Sequence, residues 1–268
     1  MSLFFCSLNS GSNGNSYLIG NHHDIILIDG GLSCKETEKR LKELDLSIKS
    51  IKGIFISHEH IDHIKGVEMI VMKHGIPIYI TEKTYGNSKL KLPSDKVKFI
   101  TLQETIKIGS FAVKPFPKFH DAIDPCSFII MNDSYCIGVL TDIGNCCNHV
   151  IEAFKSCNAV FLEANYDQEM LDNGSYPFHL KRRISGDNGH LSNDQALELF
   201  INHRNENLRY LLLSHLSQEN NHPDLVLDLF KTNTTNTEIH IASRHKASTL
   251  FVLGDEKKAI VSEQLRLF

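Results

Sequence analysis

The chain has 268 residues, 41% of them hydrophobic, which is enough to bury a sizeable core, and no composition break or repeat divides it. We therefore predict one domain over residues 1–268. The formal net charge of −4 argues against tight nonspecific DNA binding. A chain with this net charge can still carry a local basic patch. A signal peptide and a membrane-spanning run of ~18 apolar residues are both lacking, and the seven cysteines fit reduced thiols, so we expect a cytoplasmic protein without membrane contact.

The first half of the chain alternates short apolar runs with turn-rich segments, which is typical of β-strands. These runs predict strands over residues 3–8, 17–20, 25–28, 54–56 and 76–80. The first three form a predicted meander of antiparallel strands. Ser33 precedes a predicted helix over residues 34–44, with Glu36 at capping-box spacing. Further helical patterns cover residues 66–74 and 82–90.

The second half repeats this alternation. Its predicted strands cover residues 111–116, 127–131, 135–140, 159–162, 208–213, 238–242 and 249–253. Its predicted helices cover residues 166–173, 193–203 and 223–230. Two strand-rich halves with flanking helices predict an α/β fold, a four-layer αββα sandwich. The pattern alone leaves a doubly wound parallel sheet as the alternative.

Four potential metal ligands lie within six residues, directly after the predicted strand over residues 54–56. They are His58, His60, Asp62 and His63. Imidazole and carboxylate groups suit Zn, Mn or Fe, and the sequence does not choose among them. A loop after a rigid strand can direct His58 and His60 towards one metal while Asp62 and His63 reach a second. Because two such metals clamp an oxyanion and supply a bridging hydroxide at neutral pH, the spacing predicts a two-metal hydrolase.

This His-x-His-x-Asp-His pattern resembles the signature of the metallo-β-lactamase superfamily. The resemblance implies an αββα sandwich with two divalent metal ions at one edge of the sheets. It also implies three further ligands, each at the end of a predicted strand. His120 resembles the third histidine of the first metal site, Asp142 the aspartate that bridges both metals, and His215 the last histidine of the second site. Asp29 resembles the first motif of the family, whose usual role is structural support.

The metal-binding motif does not select a substrate, but a second motif carries information about it. The segment 189–192, which contains His190, resembles the part of the tRNA 3′-processing members where a histidine faces the scissile phosphate. The implied role of His190 is to stabilise the transition state or to protonate the leaving oxygen. Glu163 resembles an acidic motif of the same branch and would orient His190. The alternative for His190 is an ordinary histidine near a helix N-terminus, and the alternative for Glu163 is a surface carboxylate at the end of a strand.

Over almost its full length the chain resembles the YycJ (WalJ)-type bacterial proteins. The matching segments are residues 11–16, 57–63, 163–167, 176–184, 189–193 and 214–221. This resemblance implies a metal-dependent phosphodiesterase or nuclease with 5′-to-3′ exonuclease action, and nucleic acid, in the first place DNA, as its partner. The alternative is a carbonyl-directed hydrolase such as a thioesterase or lactonase. The oligomeric state is left open.

Two segments are candidates for binding the phosphates of a substrate. Lys181, Arg182 and Arg183 lie shortly before His190 and would hold backbone phosphates flanking the cut. Asn13 and Asn15, with the adjacent glycines, would present backbone N–H groups to phosphate. A solvated basic cluster and a simple tight turn are the respective alternatives.

Overall fold

The structure, a computed structural model, describes residues 2–234 and 236–255. In chain order its strands are β1 Leu3–Asn9, β2 Ser16–Gly20, β3 Ile25–Ile28, β4 Ile51–Phe55, β5 Ile78–Ile80, β6 Val97–Phe99, β7 Ile106–Ile108, β8 Phe111–Pro117, β9 Cys126–Met131, β10 Cys136–Leu140, β11 Ala159–Glu163, β12 Tyr210–Ser214, β13 Glu238–Ile241 and β14 Phe251–Leu253. Its α-helices are α1 Cys34–Glu43, α2 Ile61–Ile64, α3 Val67–His74, α4 Glu82–Ser88, α5 Asn148–Ser156, α6 Gln168–Asn173, α7 Phe178–Ile184, α8 Asn193–His203 and α9 Pro223–Lys231. Two short 3₁₀-helices cover Ile48–Ser50 and Ser94–Lys96.

The strands form two sheets of seven within this described part of the chain. The first has the order β14-β1-β2-β3-β4-β5-β6, and the second has the order β13-β12-β11-β10-β9-β8-β7. Apolar side chains from both sheets, including those of Phe5, Phe55, Phe128 and Phe161, meet in a core between them. A second core lies under α1 and α3, and a third under α5, α8 and α9. The predicted αββα sandwich is therefore confirmed.

Strand direction brings several strand ends to one edge of each sheet. The predicted meander is confirmed, since β1, β2 and β3 pair antiparallel. From β3 to β6 the pairing is parallel, as it is from β10 to β13. Because β9 is antiparallel to both β8 and β10, strands β8 and β10 run in the same direction. The carboxyl ends of β8, β10, β11 and β12 consequently lie at a common edge.

Some elements differ from the sequence-based expectation. The short strands β6 and β7 and the helices α5 and α7 were not predicted. The residues of β6 are half-buried or exposed, and α7 contains no buried residue, so neither shows the apolar pattern on which a prediction depends. Asp62 and His63 lie in the single turn of α2 instead of a loop. All seven cysteines are free thiols, and within residues 2–234 and 236–255 no helix has the length and apolar content needed to span a bilayer.

Candidate metal centre

The residues that the sequence singled out as metal ligands converge where four strands end. His58 follows β4 of the first sheet, while His120, Asp142 and His215 follow β8, β10 and β12 of the second. The remaining three, His60, Asp62 and His63, lie on the short segment after His58 that includes α2. Both sheets therefore contribute side chains to one cluster, which lies at the edge of the sandwich.

Three imidazoles form the first group of this cluster. Nε2 of His58 lies 3.1 Å from Nδ1 of His60, and Nε2 of His120 lies 3.4 Å from the same Nδ1. A tetrahedral ion with metal–nitrogen bonds of about 2.05 Å separates its nitrogen ligands by roughly 3.3 Å. The three ring nitrogens are thus spaced as the ligands of a single metal ion.

A second group combines carboxylates with imidazoles. Oδ2 of Asp62 lies 3.6 Å from Nε2 of His63 and 3.7 Å from Nε2 of His215. Asp142 stands between the groups, because its Oδ2 lies 3.2 Å from Nε2 of His63 and its Oδ1 lies 3.9 Å from Nε2 of His120. Asp142 is therefore close to ligands of both groups.

Two atoms of the cluster are buried without a hydrogen-bond partner among the described residues. They are Oδ2 of Asp142 and Nε2 of His215, whose residues are 1% and 3% exposed. Leaving a buried polar atom unpaired costs about 1–3 kcal/mol, and a coordinated cation would satisfy both atoms. The donor set, oxygen and imidazole nitrogen, fits a divalent transition metal.

The charges around the cluster favour a cation as well. Burial by itself lowers the pKa of His63, but the carboxylates of Asp142, Asp29 and Asp62 raise it well above its usual range. Burial, with the charges of His63 and Lys118 adding to it, lowers the pKa of His58 well below its usual range. His58 is therefore neutral and offers a lone pair.

Outer hydrogen bonds fix the orientation of the cluster, as is usual around metal ligands. Nδ1 of His63 donates to Oδ2 of Asp29 at 2.7 Å, and the same carboxylate accepts from the hydroxyl and the backbone N–H of Ser57. Nδ1 of His120 lies 3.1 Å from the carbonyl oxygen of Gly189. Asp29 is thus placed as a support beside the cluster, in the arrangement the sequence indicated.

Three residues of the centre have a left-handed backbone. Asp29, Asp142 and His215 have φ values of 63°, 55° and 55°. Such a conformation costs a residue other than glycine about 1–3 kcal/mol and persists only where its surroundings enforce it. Asp29 and His215 directly follow a strand and Asp142 lies two residues after β10, so the turn in the backbone redirects a side chain that would otherwise continue the alternation of the strand.

A buried carboxylate holds His190 beside the cluster. Oε1 of Glu163 accepts from Nδ1 of His190 at 2.8 Å and from Nδ1 of His215 at 2.9 Å, while Oε2 accepts from the backbone N–H groups of Ile143 at 2.7 Å and Leu191 at 3.2 Å. Burial by itself raises the pKa of Glu163, but the charge and hydrogen bond of His190 and the hydrogen bond of His215 lower it to about 2. Glu163 is a buried anion, so its alternative as a surface carboxylate is wrong.

A cavity of about 270 Å³ opens over the centre. Its lining includes His60, Asp62, His120, Asp142, His190 and His215. Arg183 lines it too, and its guanidinium contacts Oδ2 of Asp121 at 2.6 Å. Lys181 and Arg182, in contrast, line a neighbouring cavity. The structure thus divides the basic segment between two places.

The expected phosphate contact of Asn15 is not supported by its placement. Asn15 is fully buried, its backbone N–H donates to the carbonyl oxygen of Asp62, and its side chain donates to Oδ2 of Asp62 at 3.1 Å. Because these donors are already used within the protein, Asn15 supports Asp62 instead of facing a ligand. Asn13 is exposed, and its side-chain amide donates to the carbonyl oxygen of Arg244.

Sequence reasoning missed three residues of this region. Lys118 is 6% exposed and donates from Nζ to the carbonyl oxygen of Thr141 at 2.6 Å, one residue before Asp142. Asp121 and Tyr176 line the cavity. Asp121 directly follows His120, which was a usable signal, whereas a lysine after a strand carries no sign of burial.

Comparison with known proteins agrees with this geometry. A family model described as a beta-lactamase superfamily domain matches residues 25–215. The chain is 34% identical over 228 residues to the exodeoxyribonuclease YycJ of Bacillus anthracis, which covers 84% of this chain and 86% of that protein. It is 35% identical over 223 residues to the exodeoxyribonuclease WalJ of Streptococcus pneumoniae serotype 2, which covers 81% of this chain and 83% of that protein.

Solved structures show the same fold at low sequence identity. The metallo-beta-lactamase fold protein YhfI from Bacillus subtilis matches with a TM-score of 0.72 and 15% identity, over 94% of this chain and 100% of that one. The short form of human tRNase Z matches with a TM-score of 0.61 and 17% identity, over 93% and 99% of the two chains. The chain therefore belongs to the metallo-β-lactamase superfamily, as a metal-dependent hydrolase related to the exodeoxyribonucleases YycJ and WalJ.

Proposed function

We propose that this hydrolase is a two-metal phosphodiesterase that degrades DNA from its 5′ end. The observation that carries the proposal is the pair formed by Glu163 and His190 at 2.8 Å beside the metal ligands, in which Glu163 is buried and His190 lines the cavity. A phosphodiester has a poor leaving oxygen, and a positioned histidine is a suitable donor for the proton it needs. The exodeoxyribonuclease relatives support DNA as the substrate.

We assign the metal ligands as two sets joined by Asp142. His58, His60 and His120 would hold one ion, and Asp62, His63 and His215 would hold the other. When bound, two divalent ions of Zn, Mn or Fe supply a nucleophile from water at neutral pH and neutralise negative charge on the phosphate. Since the two sheets share these ligands, we also propose that residues 1–268 act as one domain.

Other residues around the cavity would orient water, deliver a proton and contact phosphate. Asp62, oriented by Asn15, would position the attacking water and accept its proton. Because Nδ1 of His190 donates to Glu163, Nε2 is the atom that would deliver a proton to the leaving oxygen. Arg183, held by Asp121, would contact a phosphate oxygen at the edge of the cavity.

Degradation of end-labelled DNA by the full chain tests this function. Duplexes labelled at the 5′ or at the 3′ end are incubated with the metal-free protein and then with Zn²⁺, Mn²⁺ or Fe²⁺ added back. Release of labelled mononucleotides from the 5′ end, and not from the 3′ end, is the expected result. Hydrolysis of a thioester or a lactone, with none of bis-p-nitrophenyl phosphate or DNA, would instead identify a carbonyl-directed hydrolase.

A further inference from the structure

Helix α7 divides its side chains between the catalytic cavity and a second cavity next to it. Leu180, Arg183 and Ile184 line the catalytic cavity. The second cavity, of about 420 Å³, is lined by Asp172, Tyr176, Phe178, Lys181, Arg182 and Ser185, and we call it the α7 pocket. Tyr176 lines both cavities, so they adjoin. A bound polymeric substrate that crosses the metal centre can therefore continue into the α7 pocket.

Two side chains of the α7 pocket, those of Phe178 and Arg182, are exposed to solvent. Phe178 is 77% exposed, more than any other large hydrophobic side chain in the described part of the chain. The guanidinium of Arg182 forms no hydrogen bond or ion pair with the described residues, whereas that of Arg183 is held by Asp121. Phe178 and Arg182 lie four residues apart on α7 and line one pocket, so the ring and the free guanidinium can contact the same ligand.

Aromatic and cationic groups in one pocket match the two chemical parts of a nucleotide. A base stacks on an aromatic face, and a phosphate pairs with a guanidinium. The pocket also contains the carboxylate of Asp172, which accepts from the side-chain amide of Gln168 at 3.1 Å, and the two cations Lys181 and Arg182 outnumber this single anion. Lys181 donates from Nζ to the carbonyl oxygen of Asp172 at 2.7 Å and keeps a positive charge in the pocket.

We propose that the α7 pocket binds the nucleotide next to the scissile linkage with its base unpaired. The base would stack on Phe178 and its phosphate would contact Arg182. A base inside a duplex has both faces covered by its neighbours, and a terminal base that stays paired brings its complementary strand with it. Stacking on Phe178 inside a pocket of about 420 Å³ therefore favours a strand that is single or frayed at this point. The inference rests on the proposed nuclease function and adds that the enzyme acts on an unpaired terminus.

Binding of a single strand that resists hydrolysis tests the pocket directly. The probe is a fluorescent single-stranded oligodeoxynucleotide with phosphorothioate linkages, and its anisotropy is measured with the metal-loaded full chain. Phe178→Ala should weaken binding about 5- to 100-fold, whereas Phe178→Tyr, which keeps an aromatic face, should restore it. Arg182→Ala should weaken binding and make it less dependent on salt by about one phosphate contact.

Phe99 offers a matched control for these variants. It is 57% exposed, its ring packs against that of Tyr85, and it lines neither cavity. Phe99→Ala should therefore bind the oligodeoxynucleotide as the wild type does. If Phe178→Ala binds no more weakly than Phe99→Ala, the α7 pocket is not a nucleotide site.

Cleavage of matched duplexes separates this inference from the proposed function. Wild-type protein should degrade a duplex with an unpaired 5′ terminus faster than a blunt one, and Phe178→Ala should reduce this preference. Equal rates on both duplexes would overturn the requirement for an unpaired terminus. Wild-type protein that hydrolyses neither DNA nor bis-p-nitrophenyl phosphate would overturn the proposed function itself. DNA hydrolysis that is unchanged by Phe178→Ala would overturn the pocket alone.

Discussion

Replacing Glu163 by glutamine removes one negative charge from the centre of the active site and keeps the shape of the side chain. In the native protein the carboxylate accepts from four donors, two imidazole Nδ1–H groups on Oε1 and two backbone N–H groups on Oε2. Glutamine has one oxygen, and its amide nitrogen cannot accept. Whichever way the amide is turned, its NH₂ group therefore faces two N–H groups that had donated to a carboxylate oxygen, and neither can donate to it.

The cost can be worked from these contacts. Hydrogen bonds to a charged group contribute about 1.5–3 kcal/mol each, so loss of two should lower the free energy of unfolding by about 3–6 kcal/mol if nothing rearranges. The imidazoles can avoid the clash by moving their proton from Nδ1 to Nε2. For His215 this relief removes the Nε2 lone pair that we assign to the metal. Loss of such an outer partner typically lowers metal affinity 10- to 100-fold.

Metal titration is the appropriate assay for Glu163→Gln. Bound metal is measured by elemental analysis against a competing chelator, together with urea unfolding and the rate of DNA hydrolysis. We expect weaker binding of one of two ions and a lower rate even at saturating metal, because His190 loses its anionic partner. Glu152→Gln is the control, since Glu152 is exposed and, among the residues that the structure describes, pairs only with Lys155. A folded Glu163→Gln protein with native metal affinity and native rate would refute the reasoning.

Other substitutions test single ligands and supports. His58→Ala and Asp62→Ala should abolish nearly all hydrolysis with an unchanged far-UV circular dichroism spectrum, and a native rate in the Asp62 variant would contradict its assigned role. His190→Ala should slow DNA cleavage by about 10²–10⁴ but affect bis-p-nitrophenyl phosphate much less, because p-nitrophenolate leaves without a proton; loss of bound metal would show instead that His190 is a ligand. Gly31→Ala should reduce stability to urea by about 1–3 kcal/mol, because its Cβ would lie 1.7 Å from the carbonyl oxygen of Asp62, whereas Gly86→Ala has open space and should not. Chelation of the metal should lower the melting temperature and its return should restore it, since only the folded chain presents the ligand set; a constant melting temperature would argue against metal binding.

The sequence located the ligand cluster because its members are polar residues at the ends of apolar strands. His58, His60, Asp62 and His63 could be recognised from their spacing alone. His120, Asp142 and His215 are isolated in the sequence, and only the resemblance to a family singled them out. Their convergence depends on strand direction and sheet order, which a pattern of apolar residues does not contain.

Other parts of the site gave no signal that sequence reasoning can use. Lys118 is buried because its ammonium group reaches the carbonyl oxygen of Thr141, a contact between strand ends that are distant in sequence. Helix α7 has no buried residue, so the periodicity that reveals most helices is missing there. The left-handed backbone of His215 could not be predicted from the sequence either, because such a conformation is usually recognised from a glycine and this position holds a histidine.

The left-handed backbone at Asp29, Asp142 and His215 sets a conflict between durability and activity in this enzyme. Glycine at any of these positions would relax the chain but delete a side chain that builds the centre. A library selected for heat resistance in the absence of metal should therefore collect glycine or asparagine in place of Asp142 and His215 and yield inactive proteins. At Asp29 the hydrogen bonds from Ser57 and His63 oppose the same exchange. Engineers who want a more robust catalyst should leave this edge of the sandwich untouched and improve helices such as α1, α5 and α9, which contribute no residue to the lining of the catalytic cavity.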